Sequence, residues 1–122
     1  MIIKESAENY LEAILSIKKA KGSVRSIDVA TDLGVSKPSV SVAMKNFREE
    51  GYVTVDKNGY LDLTEKGLAI ANKVYERHLI IAKALMALGV NKETAYEDSC
   101  RIEHCISEES FERLKAFLDK KG

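Results

Sequence analysis

With 122 residues, the chain has room for one ordinary domain or two small ones sharing a core. A hydrophobic share of 45% supports packed helices and a charged share of 31% a soluble surface, while no apolar run approaches the ~20 residues that span a bilayer. Nineteen basic residues face nineteen acidic ones, which excludes a cationic coat: any nucleic-acid binding must come from a local basic patch. The start, Met1-Ile2-Ile3-Lys4-Glu5, is too short in apolar residues for a signal peptide, so a cytoplasmic location with no membrane partner is expected. Cys100 and Cys105, five apart in a helical stretch, point to different faces and cannot bridge each other; they read as free thiols or ligands.

Ser6 is placed to cap a first helix whose buried side carries Tyr10, Leu11, Ile14, Leu15 and Ile17, ending near Lys21-Gly22. A short second helix after Ser26 buries Ile27, Ala30 and Leu33 and stops at Gly34. A third follows Val35-Ser36 with Pro38 in its first turn; Val40, Ala43, Met44 and Phe47, at i, i+3, i+4 and i+7, form its core stripe up to Gly51. The period then changes to that of strands, Tyr52-Val53-Thr54-Val55 and Tyr60-Leu61-Asp62-Leu63, around Asp56-Lys57-Asn58-Gly59, a strong hairpin signal. Thr64 caps a long helix from Glu65 to about Leu88, Asn91 opens another reaching to about Cys105, and Ser107 opens the last, with Phe111, Leu114, Phe117 and Leu118. The expected fold is mainly α with a small β-hairpin: a winged helix-turn-helix over 1–70 and an all-helical dimerisation domain over 71–122.

Helix, helix, helix, hairpin spells a winged helix-turn-helix, against which stands a small α+β domain without a ligand. The exposed side of the third helix favours DNA. Pro38, Val42 and Lys45 lie there, flanked by Ser39, Ser41 and Asn46. Small and hydroxyl side chains allow close approach to bases, and Val42 suits a thymine methyl. Lys37, Lys45 and Arg48 supply local positive charge, and Lys57 sits at the wing tip where phosphate is expected. Glu49 and Glu50 at the far end limit groove entry to the N-terminal half of that helix.

In the second half, Cys100, Glu103 and His104 fall at i, i+3 and i+4, one helical face bearing soft, hard and borderline donors that suit a first-row transition metal. His78 lies on the stripe Ala71, Val74, Tyr75, His78, Ala82, Leu85, and on its residues alone stands as a core histidine or a ligand. Asn9 and Glu12 are a polar pair one turn apart beside the apolar face of the first helix.

From Ser6 to Leu118 the chain resembles the diphtheria toxin repressor and manganese transport regulator family. The resemblance rests on Glu8-Asn9-Tyr10-Leu11-Glu12, Val35-Ser36-Lys37-Pro38-Ser39-Val40, Leu63-Thr64-Glu65-Lys66-Gly67, Arg77-His78-Leu79 and above all Cys100-Arg101-Ile102-Glu103-His104. It implies a homodimeric, metal-dependent repressor of metal-ion homeostasis that binds a pseudo-palindromic double-stranded DNA operator. Its cofactor would be Fe2+ or Mn2+, with Co2+, Ni2+ or Zn2+ substituting in vitro. The implied ligands are Asn9, Glu12, His78, Cys100, Glu103 and His104. Manganese-type members usually carry Asp at position 9 and Glu at position 100; iron-type members have the Cys but Met in the first helix and no acid at position 12. This chain mixes the two. The iron-type ancillary site needs a Glu and a His where Ala82 and Tyr96 stand, so that site is expected to be absent. Longer members carry an SH3-like third domain, which this chain ends before. The competing reading is a winged-helix regulator answering to an organic ligand or to thiol oxidation. An enzyme is not expected: Cys100 and His104 mimic a nucleophile and base, but no oxyanion donors or phosphate loop accompany them.

Overall fold

The computed structural model describes residues 5–121; the signal-peptide reading of Met1 to Lys4 falls on residues outside that range. The elements follow in the order α1 (Glu5–Lys21), α2 (Ser26–Leu33), α3 (Lys37–Glu49), β1 (Val53–Val55), β2 (Leu61–Leu63), α4 (Glu65–Ala87), α5 (Lys92–Ile102) and α6 (Glu108–Lys121). The chain divides into two compact units, residues 1–72 and 73–122. It is mainly α with one small hairpin, a winged helix-turn-helix followed by helices.

In the first unit, Leu11 and Ile14 of α1, Val24 and Val29 around α2, Val40, Met44 and Phe47 of α3, and Val53 and Leu61 of the hairpin form the buried core. Phe47 sits edge-on between Tyr10 and Tyr52, at centroid distances of 6.0 and 6.5 Å, which carries the core from α1 to the start of the wing. Ser36 caps α3 by accepting from the Ser39 amide at 3.2 Å, with Pro38 in the first turn, where a missing N–H costs nothing. The antiparallel register is Val53↔Leu63, Thr54↔Asp62 and Val55↔Leu61. Asp56 closes the wing turn, accepting from the amides of Asn58 at 2.8 Å and Tyr60 at 2.9 Å, while Gly59 takes φ +86°. Tyr60 leaves the strand to pair with Arg25, whose guanidinium lies 4.4 Å over its ring, tying the wing to the start of α2. Thr64 both donates to the Gly51 carbonyl at 2.7 Å and accepts from the Gly67 amide at 3.1 Å. Gly67 then passes so near the backbone of Tyr52 that any Cβ would collide with its carbonyl.

Three local expectations fail. Ser6 already lies inside α1 and does not cap it. In α2 the buried residues are Val29 and Ala30; Ile27 is 45% exposed and Leu33 only half-buried. An eight-residue helix shows the core barely two turns, so its phase follows the neighbours rather than the apolar count. The third failure lies in the second unit. There, α5 ends at Ile102, and residues 103–105 form a turn rather than helix. Asn91 caps α5 by accepting from the Thr94 amide at 2.9 Å, and Ser107 accepts from the Ser110 amide at 3.1 Å at the start of α6. Among the described residues no helix is long and apolar enough to cross a membrane.

Candidate metal centre and DNA-reading surface

The second unit converges on one imidazole. His78 lies at mid-α4, two-thirds along a helix whose inward stripe, Val74, Ile81 and Ala82, is buried. Around its Nδ1 stand Glu103 Oε2 at 3.0 Å, Ser99 Oγ at 2.9 Å and Cys100 Sγ at 3.7 Å. Tyr96 flanks the ring at 5.4 Å between centroids. The last two turns of α5 thus present Tyr96, Ser99 and Cys100 to His78. Glu103, which keeps αR geometry as the C-cap and donates its amide to the Ser99 carbonyl at 2.9 Å, adds a carboxylate.

Glu103 is the unusual member. It is 2% exposed, a carboxylate with one oxygen on His78 and the other, Oε1, without a hydrogen-bond partner among the described residues. His104 Nε2 lies 3.4 Å from Oε1, an ion-pair distance lacking hydrogen-bond alignment. A buried carboxylate oxygen left unmatched costs ~1–3 kcal/mol or more. One imidazole nitrogen, moreover, has a single lone pair or proton to share among three polar neighbours. A divalent cation would resolve both mismatches, because it can take several donors at once and would neutralise the buried charge. Thiolate, carboxylate and imidazole together fit a first-row transition metal.

The sequence set is therefore placed as follows. His78, Cys100, Glu103 and His104 come together in the second unit. Asn9 and Glu12 belong to the first, half-buried and one turn apart on α1. The expectation of one helical face is corrected: Glu103 and His104 sit in the turn after α5, and Cys100 is exposed on the helix. Cys105 is exposed as well. Ser99 was missed, because a serine one residue before a cysteine carries no pattern until its burial is known. Arg77 entered only as part of the Arg-His-Leu motif. Its side chain in fact donates to the carbonyls of Glu103 at 3.3 Å and Ile106 at 3.2 Å and to Glu108 at 2.8 Å. That last bond, with Lys73 and Arg77 charge behind it, holds the Glu108 carboxyl below its usual range.

A second candidate surface, in the first unit, is on α3. Lys37, Pro38, Ser39, Ser41, Val42, Lys45 and Asn46 are all exposed, as is Lys57 in the wing turn. Val42 is 61% exposed on a helix with Val40, Met44 and Phe47 turned inward, so an aliphatic side chain is held outward among hydroxyls and lysines. This is the surface a recognition helix offers to a major groove.

Residues 3–63 match the N-terminal DNA-binding domain of iron-dependent repressors, and residues 64–121 match the metal-binding and dimerisation domain of the same proteins. An HTH-type transcriptional regulator of Methanocaldococcus jannaschii is 35% identical over 120 residues, 97% of this chain and 96% of that one. The transcriptional regulator MntR of Escherichia coli is 33% identical over 119 residues, covering 98% of this chain and 77% of its own. The structure of the manganese regulator SloR superimposes with a TM-score of 0.78 at 30% identity, over 98% of this chain; the chain spans about half that structure's length.

Proposed function

The chain belongs to the iron-dependent repressor family of metal-dependent transcriptional regulators, and from that premise we propose that it is a cytoplasmic, homodimeric repressor of metal-homeostasis genes, activated by Fe2+ or Mn2+. The observation that carries the metal half is the buried, half-satisfied carboxylate of Glu103 against His78, with Cys100 alongside. We take Asn9, Glu12, His78, Cys100, Glu103 and His104 as the ligands. When bound, a divalent ion supplies two positive charges to this anionic donor set. Asn9 contributes an amide oxygen and no charge, so the Cys100 thiolate is one of few anionic donors and weights the site toward Fe2+ over Mn2+, which prefers oxygen. SloR is a manganese regulator by name, and Glu12 and Glu103 supply oxygens of the kind Mn2+ prefers.

Residues 1–70 carry the reading head and 71–122 the dimer platform in this proposal. The two heads of a dimer must match half-sites about 34 Å apart, or a multiple of that spacing, on a pseudo-palindromic operator. Ligands drawn from α1 and from the second half make the orientation of the head depend on the ion, a population shift typically worth ~1–3 kcal/mol per site. Lys37, Lys45 and Lys57 contact phosphate, while Pro38, Ser39, Ser41, Val42 and Asn46 face base edges. Titration of the metal-stripped protein with Fe2+, Mn2+ and Zn2+, read out as binding to a selected operator, tests the proposal. Affinity that rises with Fe2+ or Mn2+ supports it; metal-independent binding refutes it.

A further inference from the structure

We propose that Arg77 is the positioning residue of the metal centre: its guanidinium clamps the turn after α5 and so aims Glu103 and His104 at His78. The inference rests on the metal-centre reading above and deepens it. The α5 helix stops at Ile102, so the carbonyls of the turn from Glu103 on lie beyond the helical ladder. The turn's backbone amides look back to α5: Glu103 donates to the Ser99 carbonyl at 2.9 Å, and Cys105 and Ile106 donate to the Ile102 carbonyl at 2.9 and 3.0 Å. The Glu103 and Ile106 carbonyls are instead taken by one Arg77 nitrogen, at 3.3 and 3.2 Å, while the second nitrogen holds Glu108 at 2.8 Å.

A planar fork satisfies such a divergent set of acceptors; a lysine ammonium, a point charge on a flexible stem, does so less well. The Phe111 ring, 5.5 Å from the guanidinium, gives the fork a floor, and the side chain is only 14% exposed. Arg77 is adjacent to His78 in α4, so the helical turn that delivers the imidazole also delivers the clamp. The carbonyl it grips belongs to Glu103, whose carboxylate faces that imidazole. Any slack in the turn is therefore transmitted directly to the ligand geometry.

The test titrates the full chain with Co2+ alone, following the near-ultraviolet thiolate-to-metal band and the visible ligand-field bands, for wild type, Arg77→Met, Arg77→Lys and His78→Ala. Supporting groups of metal ligands are typically worth 10–100-fold in affinity, so Arg77→Met should weaken Co2+ at least about tenfold and alter the ligand-field bands at unchanged helix content. Arg77→Lys should recover part of that affinity, because charge returns without the fork. If Arg77→Met does not fold, Arg77→Lys decides, with a loss of about threefold or more expected and wild-type affinity and bands overturning the inference. A folded Arg77→Met with wild-type affinity and bands overturns this inference alone, provided His78→Ala abolishes uptake. Uptake that survives His78→Ala overturns the metal-centre reading and this inference with it.

Discussion

Replacing Glu103 by Gln separates a structural carboxylate from a ligating one. The side chain is buried, with Oε2 on His78 at 3.0 Å and Oε1 lacking a hydrogen-bond partner among the described residues. Gln keeps the volume and one hydrogen bond to the imidazole while removing a buried charge. An incompletely paired buried charge is costly to desolvate and Gln carries none, so the metal-free variant should unfold within about 1 kcal/mol of wild type. The effect of metal should differ sharply. At a free metal concentration of about 100 times the dissociation constant, a ligand of the native state adds about 2.7 kcal/mol, roughly 10 °C in Tm for a chain of this size. If losing the anionic donor raises that constant about a hundredfold, the same concentration leaves only ~0.4 kcal/mol, a shift of one or two degrees. Thermal unfolding at fixed protomer concentration, with and without Mn2+ or Co2+, measures both numbers. An unchanged metal shift would show that Glu103 is no ligand. A loss of several kcal/mol without metal would show that the carboxylate is a structural group, and the reasoning from its orphaned oxygen would fail.

Three further outcomes follow from the same geometry. Lys45→Ala should weaken operator binding across sequences and reduce the slope of log affinity against log salt by about one, whereas changing the exposed Val42 should alter base preference; competition binding at several salt concentrations distinguishes them. Cys100→Glu should move the activating metal toward Mn2+, and Cys100→Ala should weaken the response without disrupting the dimer. Cys105→Ala, which alters a thiol outside the proposed ligand set, should leave the metal ranking as it is, all read as metal-dependent operator affinity under reducing conditions. The hydrogen bond from Lys18 Nζ, at 2.6 Å, holds the Asp62 carboxyl below its usual value. A depressed carboxyl stabilises the fold above its unfolded pKa and loses that contribution as the pH falls through its folded value. Both side chains are well exposed, so Lys18→Met should cost at most ~1 kcal/mol at neutral pH. The difference should fade as the pH falls through the depressed folded pKa of Asp62, below the ordinary carboxylate range, as denaturant unfolding at stepped pH would register.

Those elements whose local and tertiary preferences agree could be read from residues alone. Val40, Met44 and Phe47 fix the inward stripe of a thirteen-residue α3, Ser36 and Pro38 fix its start, and Gly59 with Asp56 fixes the wing turn. Each choice is made within a few residues. What escaped depends on partners distant in sequence. Ile27 is exposed and Val29 buried because α2 is too short for its own periodicity to decide its phase. Ser99 and Arg77 gain meaning only from His78, 21 residues before the one, and from Glu103, 26 residues after the other. The metal motif shows why the distinction matters for function. Spacing put Cys100, Glu103 and His104 on one face, yet the helix stops at Ile102 and the last two are carried by a turn. A ligand on a helix is aimed by the helix; a ligand in a turn is aimed by whatever holds the turn. Here that is the guanidinium of Arg77, so in the proposed metal centre the geometry is set as much by the residue beside His78 as by the ligands themselves.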